Sequence, residues 1–453
     1  MHIYHRIGAV LLSLAACQAS ATPAEDIEQY LTHSISEQGL GVGAAVVVIE
    51  AGNTSVITLG LANAKTQEKL TRQHALEIGS ISKTFTSLLL ADSVQGKVVK
   101  LNDQVAGYMP EQVANEANGL TKVTFADLAT HRSGLPRIPT DFSPLNFLDP
   151  YADYDREHLW KFLSGFDKTR EPGTLVEYSN LGTGLLGELV AQANRSEYDK
   201  LLEQKILTPL KMQHSFINEP ADNNQKVASP HFTANSPAPR WHFLAMAGAG
   251  AINASINDMH RYLALNLAPS GELADAISLT HKPIADVAPG LKIGLAWFIQ
   301  STPNATYHWH NGGTGGSRSF MAFDKENQRG IVILLNAAQD FDALGHAFMA
   351  RTLGQYLADQ TAQHAVAPDQ LRKLTGEYQL APGFVLSVTL EDDQLFAQAT
   401  GQGKLPVFAR SDTEFFFKAV EASLHFELDD TGVAQALTLQ QNGQVMPASK
   451  LSL

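Results

Sequence analysis

Cysteine is almost absent from this chain: among 453 residues there is one, Cys17. Disulfides, cysteine-ligated zinc and a cysteine nucleophile are therefore excluded from everything beyond the leader. Positive charge is also short. Lys and Arg number 33 against 46 Asp and Glu, a net charge of −13. Such a surface repels nucleic acid and anionic membranes, so neither is expected as a partner. Long apolar runs are missing too. The best candidate, Ile7 to Ala16, holds ten residues, which span about half a bilayer core. What is present is a globular composition, 44% hydrophobic and 17% charged. The length suggests two or three domains with a core that needs no staples.

The leader is readable. A positive start with Arg6 precedes the apolar run, and Ala19-Ser20-Ala21 offers an A-x-A cleavage site. Residues 1–21 are expected to be a signal peptide, which places the protein in the periplasm or outside the cell. Leu14-Ala15-Ala16-Cys17 offers a second reading as a lipobox, with Cys17 acylated and the protein anchored to the outer membrane. That anchor is the one membrane contact expected.

Past the leader, Glu25 to Gln38 reads as a helix, and Val42 to Ile49 with Val56 to Leu61 as a hairpin. Residues 75 to 290 read as helix and loop, including helices at Ile81 to Val94, Phe125 to Thr130 and Leu181 to Ala193. Strand patterns return at Ile293 to Gln300, Thr306 to His310, Ser317 to Phe323 and Gly330 to Asn336, before a last helix, Asp342 to Leu357. Strands at both ends with helices between predict an α+β domain over residues 22–358: one antiparallel sheet with a helical subdomain. Residues 359–370 are polar and read as a linker. Short alternating runs over 371–453 predict a small all-β barrel or sandwich.

The chemistry concentrates in three places. Ser80-Ile81-Ser82-Lys83 opens a helix whose apolar residues Ile81, Phe85, Leu88 and Leu89 follow helical spacing. Lys83 then lies one turn from Ser80 on the same face. A serine hydroxyl is a weak nucleophile until a neighbour takes its proton, and a buried lysine of lowered pKa can do that. The helix start also offers N–H groups to a developing oxyanion. Tyr178-Ser179-Asn180 is the single Y-x-N; its phenol can shuttle protons and Asn180 can hold a substrate amide. His310-Asn311-Gly312 is the single H-x-G, followed by Gly313, at a strand end where glycines allow a substrate close to the backbone. His308 and His310 share a face, but no third ligand suggests a metal.

Taken in order at positions 80, 178 and 310, these motifs resemble the penicillin-recognising serine hydrolases: class C β-lactamases, D,D-carboxypeptidases and related esterases. The run Thr124 to Pro136, the run Ile206 to Met212, Gly248-Ala249-Gly250 with Asp258-Met259, and Gly330 to Asn336 extend the likeness over about residues 25 to 358. The segment from Leu371 looks like the lipocalin-like barrel that some members append. The resemblance implies a β-lactamase-like fold with no cofactor or metal, acting on a small molecule or peptide. It makes Ser80 the acylated nucleophile and gives the base and acid work to Lys83 and Tyr178, the division between them left open. Asn180, His310, Asn311, Gly312 and Gly313 would bind substrate, and the N–H groups of Ser80 and Gly313 would form the oxyanion hole. His131, Arg132 and Ser133 read as turn structure, and Arg318 as a structural strand arginine.

One departure from class C β-lactamases bears on substrate: their third motif begins with lysine, and here it begins with His310. Efficient β-lactam hydrolysis is thereby questioned. With a reference pKa of about 6.5, His310 is expected to favour carboxylate substrates more at about pH 6 than at about pH 8. The expected activity is hydrolysis of β-lactam or D-amino-acid peptide bonds, with a carboxylesterase and a non-catalytic penicillin-binding or scaffold protein as alternatives.

Overall fold

The computed structural model describes residues 21–451 apart from 168–169, 223, 362–363, 418–421 and 442–443. The leader, with Cys17, lies outside the described residues.

The sheet strands are β1 (Gly43–Glu50), β2 (Asn53–Asn63), β3 (Glu68–Lys69), β4 (Ala285–Ala288), β5 (Leu291–Ile293), β6 (Phe298–Ser301), β7 (Thr306–Gly313), β8 (Arg318–Asp324) and β9 (Arg329–Leu335). They pair antiparallel in the order β3-β2-β1-β9-β8-β7-β6-β5-β4, so β1 and β9, far apart in sequence, lie side by side. The nearly continuous apolar run of β1 is explained by burial on both faces. Ala45 and Val47 enter the core under the helical region, while Ala44, Val46 and Val48 enter a second core. Helices α1 (Pro23–Thr32), α4 (Asp342–Met349) and α5 (Leu353–Thr361) supply that second core. The single helix expected from Asp342 is thus two. The run Ile293 to Gln300 is likewise two strands, because Gly294 N–H donates to Trp297 O at 2.8 Å in a tight turn.

Helix α2 (Ser82–Gln95) runs through the first core and is buried all round over Ser82 to Ala91. Its hydroxyls are accommodated by bonding to backbone: Thr84 to Ile81 O at 2.8 Å and Thr86 to Gly248 O at 2.7 Å. Helix α3 (Asn180–Ala193) packs through glycines against the short helix Ala247–Gly250. A Cβ on Gly187 would lie 3.1 Å from Gly248 Cα.

The C-terminal strands close into an eight-stranded antiparallel barrel, from Gly376–Ala381 to Gln444–Lys450. Its core lies entirely within Leu371 to Ala448. The polar stretch after Ala358 is partly helical: α5 reaches Thr361, and α6 (Pro368–Leu374) plugs the barrel with Leu371 and Leu374. Ending the chain after Thr361 therefore removes one core and leaves two untouched. We expect a truncated chain that unfolds cooperatively, its melting temperature shifted by no more than roughly 4 °C, the effect of ~1 kcal/mol in a domain of this size. An insoluble product, or a broad calorimetric transition, would show that barrel and sheet share stability.

Candidate active site

The serine is placed by a backbone bend. Gly79 adopts φ +48, and Gly79–Ile81 form a 3-10 turn that runs into α2. A Cβ on Gly79 would lie 2.6 Å from Gly313 N, and one on Gly312 would lie 2.1 Å from Ile78 O. Glycine at both positions lets β7 press its backbone directly against the serine turn. Lys83, one turn on, is 0% exposed. Its Nζ lies 2.8 Å from Ser80 Oγ and donates to Ala249 O at 2.6 Å. Burial, with the Arg137 guanidinium second, holds its pKa well below the ordinary lysine value. Lys83 makes no ion pair among the described residues, so the neutral amine is the form this environment favours.

Tyr178 is set by the loop before α3. Glu177 N–H donates to His131 O at 2.8 Å, and Asn180 N–H to Arg137 O at 2.9 Å. Ser179 caps the helix, its Oγ accepting Gly182 N–H at 2.8 Å while donating to Pro136 O at 2.6 Å. The Tyr178 ring sits 4.4 Å from the His131 ring, with Lys83 Nζ 4.9 Å from its centroid. Burial pushes the phenol pKa up, against the opposing effects of Ser80 and Arg137. Tyr178 therefore keeps its proton at neutral pH. Asn180 Nδ2 donates to Tyr151 OH at 3.3 Å, and its Oδ1 has no partner among the described residues.

The third motif divides between two faces. His310 and Gly312 face the serine, whereas the Asn311 side chain faces the other side of the sheet and donates to Asp342 on α4. It lines a cleft of about 970 Å³ that barrel residues Arg410 and Phe416 also border. This corrects the expectation that the Asn311 side chain binds substrate. Strand alternation makes His310 and Asn311 point oppositely, and the bond to Asp342 fixes that arrangement. The expected pH effect at His310 is also corrected. Its ring is 0% exposed, and burial with the nearby Lys83 lowers its pKa to about 3. Nδ1–H donates to Asn311 O at 2.6 Å, leaving Nε2 a bare acceptor without a partner among the described residues. His308 is engaged elsewhere, 3.0 Å from His281 O and stacked on Phe323. Among the described residues no three metal-ligating side chains converge.

Three contributors were not singled out in the sequence. Glu77 accepts from Trp241 N–H at 2.7 Å, Thr314 at 2.8 Å and Ser317 at 3.0 Å, locking the β7–β8 turn to the segment before Ser80. Ala249 O receives Lys83, within a glycine-alanine run that was noted only as a likeness. Arg137 lies over Tyr178, its Cζ 5.0 Å from the ring centroid. It follows immediately on the run Thr124 to Pro136, where it is an isolated cation among Leu135, Pro136, Ile138 and Pro139. Arg318 proves structural, donating to Thr314 O and Ser317 O at 2.7 and 2.8 Å.

A half-buried serine and tyrosine beside a buried lysine, at the edge of an antiparallel sheet capped by helices, define a serine hydrolase. The chain belongs to the beta-lactamase family, whose model matches residues 3–354. A second family, described as a domain of unknown function (DUF3471), matches residues 360–449. A beta-lactamase of Escherichia coli (strain K12) is 28% identical over 364 residues, covering 72% of this chain and 93% of its own. The D-alanyl-D-alanine-carboxypeptidase/endopeptidase AmpH of the same strain is 27% identical over 347 residues, covering 72% and 88%. Among solved structures, a class C beta-lactamase mutant superposes with a TM-score of 0.65 at 21% identity, covering 74% of this chain and 97% of its own.

Proposed function

We propose that this serine hydrolase is exported and cleaves β-lactam or D-amino-acid peptide bonds through an acyl-enzyme on Ser80. The observation that carries the reading is Lys83: fully buried, without an ion pair among the described residues, and 2.8 Å from the serine oxygen. The neutral amine takes the Ser80 proton as Oγ bonds to the substrate carbonyl carbon. The N–H groups of Ser80 and Gly313 receive the resulting oxyanion, and Asn180 orients the acyl amide. Tyr178, still protonated, gives its proton to the departing nitrogen and is resupplied by Lys83. Water then enters by the same route in reverse, releasing the acid and restoring the serine. Export rests on the leader pattern, with lipidation of Cys17 as its anchored variant. Among the described residues no helix is long and apolar enough to cross a membrane. The names of the two E. coli relatives support both substrate classes.

A carboxylesterase is the second reading, favoured by one observation: His310, with a pKa of about 3, offers no charge to a substrate carboxylate. A panel of chromogenic cephalosporin, D-Ala-D-Ala peptide and short-chain ester tests both. We expect a burst of acyl-enzyme and turnover of a carboxylate substrate above the ester. Its preference should be the same at about pH 6 and pH 8, since His310 gains a proton only near pH 3. Turnover of the ester alone gives the esterase reading, and acylation by penicillin without turnover gives a penicillin-binding protein.

A further inference from the structure

We propose that His131 is a positioning residue that holds the Tyr178 phenol in place for proton transfer, by clipping the chain on both sides of the tyrosine. The proposal rests on the acyl-transfer reading above and adds a residue to the step in which the amine departs.

Both ends of His131 act on the residues that flank Tyr178. Its carbonyl accepts Glu177 N–H at 2.8 Å, and its ring Nδ1 accepts Ser179 N–H at 3.3 Å. Between these two bonds its ring lies 4.4 Å from the Tyr178 ring, tilted by 40°. Ser179 is the N-cap of α3, so Tyr178 stands outside the helix and gains no support from its hydrogen-bond ladder. The clip supplies what the helix does not.

A turn alone does not account for the residue type. His131 adopts φ +57 while 1% exposed, a left-handed backbone that costs energy in any residue with a side chain other than a small polar one. Glycine or asparagine would make the same turn without an aromatic ring. Because Nδ1 accepts from Ser179, the ring proton sits on Nε2. That Nε2–H has no partner among the described residues. Among them, the bond to Ser179 and the contact with the Tyr178 ring are thus what the imidazole does, and both are directed at the Y-x-N segment. A second proton would point at Ser179 N–H and open the clip. Burial above all, then the charges of Lys83, His310 and Arg137, holds the ring well below the ordinary histidine pKa and so keeps Nδ1 bare.

The test uses the full chain, the amide or β-lactam substrate that the wild type turns over fastest, and a 4-nitrophenyl ester. His131→Phe keeps a ring beside Tyr178 and removes the acceptor. It should lower kcat on the amide by about tenfold with KM little changed, since a slightly misplaced catalytic group loses much of its effect. The ester, whose leaving group needs no proton, should fall far less. His131→Asn should recover most of the loss, because its Oδ1 stands in for Nδ1 and asparagine tolerates positive φ. Added to Tyr178→Phe, His131→Phe should cost no more than about twofold, the group it positions being gone. His131→Gln, which has no acceptor at the Nδ1 position, serves if the phenylalanine variant does not fold. Equal losses on amide and ester, an asparagine variant no better than phenylalanine, or full additivity with Tyr178→Phe overturns the assignment and leaves His131 a residue of the turn. If Ser80 takes no fluorophosphonate label, or the wild type turns over esters alone, the amide-cleaving reading falls, and this proposal with it.

Discussion

Ser80→Ala should lose hydrolysis of every substrate by on the order of 10³-fold or more, and all covalent labelling by penicillin or fluorophosphonate. The size follows from how the site is built. Ser80 Oγ lies beside the buried Lys83 amine, and the remaining groups only assist a bond that this oxygen makes. Binding and oxyanion stabilisation survive the substitution, but they have no nucleophile to act on. The fold should be undisturbed, since Lys83 keeps its bond to Ala249 O. Intact-mass analysis after penicillin treatment decides the matter. An adduct on any other serine would remove the basis of the functional reading.

Tyr178→Phe should lower kcat for amide and β-lactam substrates by ~10²-fold. Phenylalanine keeps the ring packed against His131 and between Lys83 and Arg137, so the melting temperature should scarcely move. What is removed is a phenol whose burial holds its proton in place. A departing amine requires that proton, whereas an activated phenolate leaves without it. The loss should therefore be much smaller for an aryl ester than for an amide, and a ratio of the two rates measures the difference. Equal rates to wild type on amides would assign both proton steps to Lys83.

Much of this site was legible because its chemistry lies in short segments. Ser80 and Lys83 are joined by one helical turn, and Tyr178 and Asn180 by two residues, so local geometry alone brings each pair together. Asn311 shows where a motif misleads. Its neighbours His310 and Gly312 face the serine, yet the twofold period of a strand sends its own side chain to Asp342. Arg137 was beyond reach for another reason. Its partner Tyr178 lies 41 residues on, and only the packed loop before α3 places it over the ring. In the barrel, the strands Gly376–Ala381, Leu405–Ala409 and Gln444–Lys450 went unread; the last two each hold a proline, Pro406 or Pro447, a residue that argues against a strand. The split of Ile293 to Gln300 depended on a turn at Gly294 that an apolar pattern does not reveal.

The bare backbone contact between Gly79 and Gly312–Gly313 also bears on how such a site can diversify. Where two chain segments meet with no side chain between them, point mutation has almost nothing to select from. A methyl group on Gly312 would fall 2.1 Å from Ile78 O and 2.8 Å from Ser80 N. Descendants of this sequence are therefore confined to the same serine turn and the same strand edge, whatever they come to hydrolyse. Novelty has to arise in the loops that overlook the junction, where a substitution changes what is admitted without moving the reacting atoms.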